Sequence, residues 1–548
     1  MKKIVLYIVL LIGFLSLASC SEDRLDIEQR GVVTTDEYTT ADDEETLEFI
    51  AAVYSKLHGS TFYWYMSKTS DSYCSLMYEL GRMGGELGEH YQYNETAESN
   101  TYSMIWSYFY TICYWCNMII ENVPNNTVAS ADVKNRVVAE ARAIRAIQMM
   151  YLVQLFGNPP LADHILDGSE GNTPAAESWS WIESELAAAA EELPSKSSVD
   201  GQSEIGGRIT KEAAYAYLGK AYLWAKDYDN AANILYNKVI ATGKYALVSD
   251  YDSLNSSSSD FCSENIWEFN ITDASGLETS QEGLFDLACF GISNGTLNLP
   301  SKFRQSTCWG LGGTASKEFG EFMDEHDLTS TGEKSSRYRG TLASYEDLLD
   351  ETLYSYSGSK GIKQEVENCQ GYFRVKNECL ADDQMGGAYY AVQYTKKNTV
   401  YMRYSEVLLN YAEAVAMGGQ QGAVSGLEAL NMVRRRAGLD DAPALDMDNT
   451  TYGVKAEREA ELFYEGQRFI DLVRWGDAAT ELADCGKYSY KFNGYIDGNN
   501  TVAQSPENWY ILSTKTTGNG FVEGKNELFP IPAVDINKNS SLTQNPNW

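Results

Sequence analysis

The chain has 548 residues, of which 44% are hydrophobic and 12% aromatic, and this composition excludes a disordered protein and predicts a large packed core. Its 43 basic and 77 acidic residues give a formal net charge of −34. Because nucleic-acid binding depends on neutralising phosphates with Lys and Arg, this balance argues against nucleic acid as a partner.

The first twenty residues have the pattern of a lipoprotein signal peptide. Lys2 and Lys3 form a short positive region, and an uncharged apolar run from 4 to 17 follows. This run is short for a membrane span and ends in Leu17-Ala18-Ser19-Cys20, a lipobox whose small residues fit the signal peptidase. We therefore expect a signal peptide over residues 1–19, a diacylglycerol on the Cys20 thiol, and a mature chain held to a membrane by its acyl chains.

Several long segments have apolar residues at helical spacing. Helices are predicted over Asp43–His58, Met104–Val123 and Asp132–Phe156, and Gly157 with the following prolines ends the third. Cys113 and Cys116 form a C-x-x-C pair inside the second helix. Because the pair does not have the strand-to-helix setting of a redox site, we interpret both cysteines as helix packing residues.

Two segments predict pairs of helices. Thr210–Leu247 resembles a tetratricopeptide unit, with Leu218-Gly219 and Tyr222 at the expected steps, although Lys238 stands where a small residue belongs. A similar pair is predicted over Val400–Gly438, with a glycine-rich connection that departs from the repeat. Stacked helix pairs of this kind usually form an interaction scaffold.

Between these pairs, residues 249–398 are rich in Ser, Gly, Asn, Thr and Tyr. We predict that this inserted region consists of loops, short strands such as Ile266–Phe269, and a few helices. Cys369 and Cys379 flank a loop in it and are candidates for a disulfide. The four histidines of the chain have no metal-ligand spacing, so no zinc site is predicted, and we expect no cofactor. A structural calcium stays open.

Short motifs along nearly the whole chain resemble those of the SusD/RagB family of outer-membrane nutrient-binding lipoproteins. The motifs are Ala139-Glu140-Ala141-Arg142, Leu155-Phe156-Gly157-Asn158-Pro159-Pro160-Leu161, Arg208-Ile209-Thr210-Lys211-Glu212-Ala213-Ala214, Met402-Arg403-Tyr404-Ser405-Glu406-Val407-Leu408-Leu409, Glu465-Gly466-Gln467-Arg468-Phe469-Ile470-Asp471-Leu472, Arg474-Trp475-Gly476, Phe529-Pro530-Ile531-Pro532 and Gln544-Asn545-Pro546. Asp535 and Trp548 are mild departures, since the family often has Glu and Tyr there.

The resemblance implies a mostly α fold: a SusD-like helical scaffold with tetratricopeptide-like helix pairs and a loop-rich insertion. Residues 20–548 would form a single SusD-like domain, with the N-terminal and tetratricopeptide-like part over about 40–247, the inserted region over about 249–398, and the C-terminal helices and tail over 400–548. It also implies a TonB-dependent SusC-like transporter as partner and a position on the outer membrane. The acidic Glu22, Asp23 and Asp26 after the lipobox resemble the signal for export to the cell exterior in Bacteroidota-type lipoproteins.

Charged residues recur at helical spacing from Glu457 to Arg474. Paired charges at i,i+3 and i,i+4 are ordinary on helices, so we interpret them as ion pairs that stabilise the last long helix rather than as a polar site. Arg434-Arg435-Arg436 is interpreted as a solvated helix end.

The family's ligand sites lie on loops that differ between members, so the candidate site is argued from chemistry. Sugars bind by stacking their apolar faces on aromatic rings, with a few hydrogen bonds that fix orientation. Exposed loops rich in Trp and Tyr are therefore the candidates, and the alternative is that these rings fill the core. The candidate residues are Tyr63, Trp64, Tyr65, Asp71, Tyr73, Tyr78, Tyr91 and Tyr93 in one segment and Trp309 in a glycine-rich turn of the inserted region.

Two segments of the chain match the residue letters of catalytic motifs but not the structural setting that these motifs require. Gly291–Gly295 fits G-x-S-x-G, but no helical pattern follows its Ser. Gly310–Ala315 fits G-x-G-x-x-A, but no apolar strand precedes it. The resemblance to a non-catalytic family, together with the lipobox, leads us to expect a cell-surface lipoprotein that captures oligosaccharides and passes them to the transporter. A peptide-binding RagB-like protein of the same scaffold, and a surface glycoside hydrolase with two catalytic carboxylates, are the alternatives.

Overall fold

The computed structural model describes residues 35–57, 93–197, 207–271, 297–303, 314–358, 360–362, 366–367, 369–378, 380–383, 396–493 and 510–548. The signal peptide and Cys20 lie outside these residues, as do Cys379, the G-x-S-x-G motif and most of the G-x-G-x-x-A motif. The disulfide between Cys369 and Cys379 therefore stays a prediction.

The N-terminal part is a layer of helices arranged around one almost fully buried helix. The helices are α1 (Thr35–Thr40), α2 (Asp43–Leu57), α3 (Asn100–Asn122), α4 (Ala131–Phe156) and α5 (Ala175–Glu192). The three helices predicted from apolar spacing are confirmed to within a few residues. Helix α4 packs against α2, α3 and α5.

Local signals set the ends of α4. The Ser130 hydroxyl accepts a hydrogen bond from the Val133 amide and caps the first turn, while Gly157 ends the helix with a φ of 74°. Cys113 and Cys116 of α3 are fully buried and face this layer as free thiols, which confirms their interpretation as packing residues. Burial raises the pKa of Cys113 to about 12, so its thiol stays neutral.

The first tetratricopeptide-like pair consists of α6 (Lys211–Trp224) and α7 (Tyr228–Ile234), which continues as a π-helical turn over Leu235–Val239. The π-turn contains Lys238, the position at which the sequence departs from the repeat. Gly219 is required in α6 because a Cβ there would lie 2.4 Å from the Leu235 side chain. The close approach of these two helices therefore depends on the Leu-Gly step of the motif.

The second pair consists of α11 (Tyr404–Ala416) and α12 (Gly426–Ala437). Its glycine-rich connection packs on the first pair, since a Cβ at Gly422 would lie 2.2 Å from the Tyr236 ring, which itself stacks on Tyr411. The departure from the repeat at this connection thus has a packing reason.

The prediction of helix from Val400 is wrong at its start, because Thr399–Arg403 is a strand. This strand pairs antiparallel with Asn265–Phe269, the short strand predicted around Ile266. The two strands are the points at which the chain leaves the helical layers for the inserted region and returns. We refer to this pair, 265–269 with 399–403, as the stem.

The inserted region contains short elements, as predicted. Its helices are α8 (Lys317–His326), α9 (Ser336–Thr341) and α10 (Tyr345–Leu349). With the stem strands as β1 and β8, its strands are β2 (Leu297–Asn298), β3 (Thr314–Ala315), β4 (Leu342–Ser344), β5 (Gly361–Ile362), β6 (Val366–Glu367) and β7 (Tyr372–Arg374). Strand β7 lies between β3 and β4, and β2 pairs with β5.

The C-terminal part contains helices α13 (Val454–Glu461), α14 (Arg468–Trp475), α15 (Ala478–Glu481) and α16 (Ala533–Lys538) and strands β9 (Tyr488–Asn493) and β10 (Tyr510–Lys515). Strand β9 lies between β10 and β6. The terminal segment returns to the N-terminal layer, where the Phe529 amide donates to the Leu155 carbonyl and Asn545 Nδ2 donates to Phe156. Within the described residues, no helix is both long and apolar enough to cross a membrane.

Ten side chains, nine buried and one (Glu465) half-buried, form one continuous ionic network between the helical layers and the inserted region. Arg337 contacts Asp327 and Glu457 at 2.5 Å, and Arg403 contacts Glu264 at 2.6 Å and Glu461 at 3.0 Å. Among the described residues, the network contains five basic side chains and five carboxylates. They are Arg337, Lys376, Arg403, Arg434, Arg436, Glu264, Asp327, Glu457, Glu461 and Glu465.

The network confirms the prediction that the charged residues near the C-terminus form structural ion pairs. It corrects the prediction that these pairs lie within one helix. The predicted single helix is two helices, α13 and α14, and the partners of Glu457 and Glu461 come from distant elements rather than from the next turn. The interpretation of Arg434–Arg436 as a solvated helix end is wrong for two of the three residues. Arg434 and Arg436 are buried against Glu457 and Glu264, and only Arg435 is exposed.

We expect Arg337→Met to lower the free energy of unfolding by about 3–5 kcal/mol, because it leaves buried carboxylates without their cation. Arg435→Met is a matched control, since Arg435 also bridges two carboxylates, at 2.7 and 2.6 Å, but is 47% exposed. The Arg435→Met change should lower the free energy of unfolding by less than about 1 kcal/mol. Urea unfolding of both variants measures the difference, and equal losses would contradict the role assigned to the network.

A second polar cluster holds the two strands of the stem together. Glu268 on β1 accepts hydrogen bonds from the Phe261 amide at 2.7 Å, Asn265 Nδ2 at 3.1 Å and Asn398 Nδ2 at 3.2 Å. The amide of Asn398, just before β8, donates to Asp260 at 3.0 Å. Burial raises the pKa of Glu268 to about 7 and that of Asp260 to about 6.

These shifts give the stem a defined pH dependence. A carboxyl group whose pKa is raised by folding stabilises the fold fully below its ordinary pKa, and this contribution is lost as the pH rises towards the folded-state value. For Glu268 the window runs from 4.5 to about 7. The free energy of unfolding of Glu268→Gln, taken relative to that of the wild type, should therefore be higher at pH 8 than at pH 5. Urea unfolding at both values measures this gain, and a constant difference between the two proteins would refute it.

Candidate functional site

The structure describes one of the nine predicted ligand-contacting residues. Tyr63, Trp64, Tyr65, Asp71, Tyr73, Tyr78, Tyr91 and Trp309 lie outside the described residues. The structure shows instead how the two segments that contain them, 58–92 and 304–313, are held at their ends.

Tyr93 is a correction to the predicted set, because the structure places it in the core. Its side chain is 2% exposed, and its ring makes an edge contact with Phe521 at 5.6 Å. The residue has a φ of 54°, and its carbonyl accepts a hydrogen bond from Asn519. A ring buried in this way offers no face for stacking on a sugar, so Tyr93 acts as an anchor at the end of segment 58–92.

The other end of this segment begins at Leu57, the buried last residue of α2. The Leu57 carbonyl accepts hydrogen bonds from the hydroxyls of Tyr108 at 3.1 Å and Tyr401 at 3.2 Å. Tyr401 lies on the stem strand β8. The segment therefore starts directly beside the stem of the inserted region, although 344 residues separate Leu57 from Tyr401 in the chain.

Aromatic packing makes this junction rigid. The Trp267 ring on β1 lies 4.7 Å from the Tyr401 ring and contacts Tyr217 of α6 edge-on at 5.9 Å. Trp267 Nε1 donates to the Gly207 carbonyl at 3.1 Å. Burial raises the pKa of Tyr401 well above its ordinary value, so its hydroxyl stays protonated and remains a donor to Leu57.

A buried ionic group supports the same junction from the helical side. The hydroxyl of Tyr54, in the last turn of α2, donates to Glu140 at 3.0 Å and accepts from the Ile209 amide at 2.9 Å. Arg136 and Arg208 neutralise the fully buried Glu140 at 3.0 and 2.7 Å. Helix α2 is thus fixed along the turn from which the candidate segment leaves.

The segment that contains Trp309 is anchored in the inserted region. On one side, Phe303 is fully buried and forms a bridge with Leu380, while Lys302 contacts Asp252 at 2.7 Å. On the other side, Thr314 and Ala315 pair with β7. Both ends are therefore held by sheet contacts and buried side chains.

Sequence reasoning missed Tyr54, Tyr108 and Tyr401 as the residues that position the first segment. Their rings lie in patterns that predict only packing, and the sequence contains no signal that links them to Leu57. The contacts described at the junction are packing contacts between rings and hydrogen bonds from hydroxyls to the Leu57 carbonyl. No group of three His, Cys, Asp or Glu side chains in the described part of the chain could hold a metal ion.

Comparisons with known families agree with this architecture. A model of the SusD family matches residues 317–548, and a second model, described as starch-binding and associating with the outer membrane, matches residues 33–223. Together the two models cover both the helical layers and the C-terminal part.

Similar proteins are found along most of the chain. A SusD-like protein of Bacteroides ovatus is 23% identical over 496 residues, which cover 82% of each chain. The starch-binding protein SusD of Bacteroides thetaiotaomicron is 24% identical over 451 residues, covering 75% of this chain and 72% of SusD.

Solved structures share the fold. A laminarin-binding SusD-like protein superposes with a TM-score of 0.69 at 23% identity, covering 92% of this chain and 99% of the other. Surface glycan-binding protein A of Bacteroides fluxus does so with a TM-score of 0.67 at 24% identity, again over 92% and 99%. The mostly α, SusD-like fold expected from the sequence is thus confirmed, and the chain belongs to the SusD family.

Proposed function

We propose that the protein captures oligosaccharides at the bacterial surface, through aromatic rings on segments 58–92 and 304–313, and presents them to a TonB-dependent outer-membrane transporter. The observation that carries this proposal is the junction at Leu57. It holds the start of one aromatic-rich segment against the stem of the region that contains the other. Binding residues on connections supported by a rigid framework are a common arrangement in proteins.

Glycans are the favoured ligand class for two reasons. Tyr63, Trp64, Tyr65 and Trp309 provide large flat surfaces that suit the apolar faces of sugar rings. Relatives of similar fold carry the names starch-binding, laminarin-binding and surface glycan-binding. A binding role without catalysis fits a junction built from buried rings and neutral hydroxyls.

The remaining parts of the proposal concern position in the cell. The lipobox at Cys20 supports a lipid anchor, and the acidic residues after it support display on the outer face of the outer membrane. The family description of association with the outer membrane fits this position. The protein would then cover the mouth of its transporter and hold the ligand between the two.

Glycan binding is tested with Trp64→Ala and Trp309→Ala, titrated with starch and laminarin oligosaccharides. Each change should weaken binding by about tenfold, because stacking contributes on the order of 0.5–1.5 kcal/mol beyond the area that it buries. The melting temperature should stay nearly unchanged. Tyr93→Ala is the control for a core ring and should lower the melting temperature instead, since losing a buried aromatic costs about 3–5 kcal/mol.

Three results would contradict the glycan proposal. The first is unchanged affinity in both Trp variants, and the second is a large loss of stability in them, which would return these rings to the core. The third is binding of peptides but of no glycan, which would favour the RagB-like alternative. Release of reducing ends from a bound oligosaccharide, abolished by changing one carboxylate, would identify a hydrolase.

The anchor and the partner are tested together in cells. The wild-type protein should fractionate with the outer membrane and, after mild detergent extraction, co-purify with a larger β-barrel protein. Cys20→Ala should leave the membrane fraction, because the acyl chains supply its membrane affinity. Unchanged fractionation of this variant would refute the lipobox, and recovery of the wild-type lipoprotein alone would count against the transporter.

A further inference from the structure

A small cavity lies between the inserted region and the C-terminal helices, away from the junction at Leu57. Its volume is about 70 Å³, and its walls come from α8, α13, α14, α15 and the connection between α13 and α14. A buried water needs on the order of 10–15 Å³ of such space, so the cavity has room for about five water-sized groups.

The inner wall is aromatic. Phe319 of α8 stacks on Phe463 at 4.1 Å between ring centroids, with the planes 11° apart. Trp475, at the end of α14, also lines the cavity and is held by a hydrogen bond from its Nε1 to Glu413 at 2.9 Å. Because Lys455 and Arg474 already lie over the Trp475 ring, each 5.4 Å from its centroid, this wall offers a ligand apolar contact rather than a free ring face for its charge.

The opening of the cavity is acidic. Arg468 contacts Glu459 at 2.9 Å and Glu481 at 3.4 Å, and Glu318 lines the same opening. Among the described lining residues at this opening, three carboxylates therefore surround one guanidinium. Arg458 and Asp471, deeper in the cavity, neutralise each other at 2.8 Å.

The crowding of these carboxylates has a measurable consequence. Burial raises the pKa of Glu318 and of Glu459, and the nearby Glu481 carboxylate adds to both rises. A cation placed at the opening would relieve this repulsion, whereas an anion would increase it.

We propose that this cavity binds an ammonium or guanidinium group carried on a short alkyl chain. The aromatic wall accepts the alkyl part and the carboxylates at the opening bind the charge. A lysine side chain and a small aliphatic amine both have this chemistry and fit the volume. This site would take a different class of ligand from the one in the glycan proposal.

The test is calorimetric titration of the full-length protein in detergent with butylammonium chloride and with ethylguanidinium chloride. Neutral butanol serves as the uncharged analogue. We expect the cations to bind in the millimolar range, with butanol at least about tenfold weaker. Raising the salt concentration should weaken cation binding, because exposed charges are screened over about 10 Å at 0.1 M. Equal binding of butanol, or no binding of either cation, would overturn the proposal.

A pair of matched variants locates the binding. Glu481 and Glu428 are both helical glutamates paired with an arginine, and their side chains are 45% and 44% exposed. Glu481→Gln should weaken butylammonium binding by about threefold to fivefold, the effect of one charge at close range in water. Glu428→Gln should leave it unchanged, and equal effects of the two variants would overturn the assignment to this cavity.

The source of the cation is distinguished by a blocked lysine, N-acetyl-lysine amide, titrated in parallel. Affinity equal to that of butylammonium would indicate that a lysine side chain of a polypeptide can enter the cavity. Binding of the free amine alone would indicate a small-molecule ligand. Both outcomes support the shared chemistry, and the Glu481→Gln variant remains its control.

Discussion

The buried ionic network is the constraint on which the rest of the structure depends. Moving charges out of water is costly, so each member is acceptable only when its partners are in place. Those partners come from the segment before β1, the residue after α8, α9, the segment after β7, the end of β8, α12, α13, and the connection between α13 and α14. Arg337 alone joins Asp327 in the inserted region to Glu457 and Glu461 on α13. The inserted region therefore cannot shift relative to the helical layers without breaking charged contacts.

This constraint explains how a loop-rich region can support a binding site. Short strands and short helices stabilise themselves poorly, because few residues share each hydrophobic cluster. The inserted region shares two small apolar clusters, around Phe373 and around Phe463, with the C-terminal part, and the ionic network adds further contacts between the two parts. The stem adds a second fixed point through Trp267, Tyr401 and Glu268.

Much of the fold could be predicted from the sequence, because the signals that determine a helix lie close together in the chain. Helix α4 has a serine cap, a helical apolar pattern and a terminal glycine, all within one stretch of chain. Strand β8 was missed because its five residues run directly into α11, and so short a strand has no periodicity of its own. The partners of Arg436 could not be predicted either, since Glu264 lies 172 residues away. The sequence shows that a residue is charged, but not whether its side chain is buried.

The same limit applies to the candidate site. Tyr93 belongs to an aromatic cluster by composition, yet its ring is in the core, and composition cannot separate a ring that packs from one that binds. Conversely, Tyr108 and Tyr401 have no special sequence context but hold the carbonyl from which the candidate segment starts. Sequence reasoning could name the chemistry of a sugar site, whereas the residues that position it depend on contacts across hundreds of residues.

The distribution of charge separates the two proposed sites physically. The five Lys or Arg side chains and five carboxylates of the network sum to zero charge, so the whole net charge of −34 comes from other residues of the chain. Stacking on a neutral sugar involves little Coulomb energy and is almost independent of this field. A small cation is attracted by the charges that lie within the screening length of about 10 Å at 0.1 M salt, and a strongly acidic protein raises the local concentration of counter-ions. One protein can thus bind two ligand classes at two sites, because different forces select them.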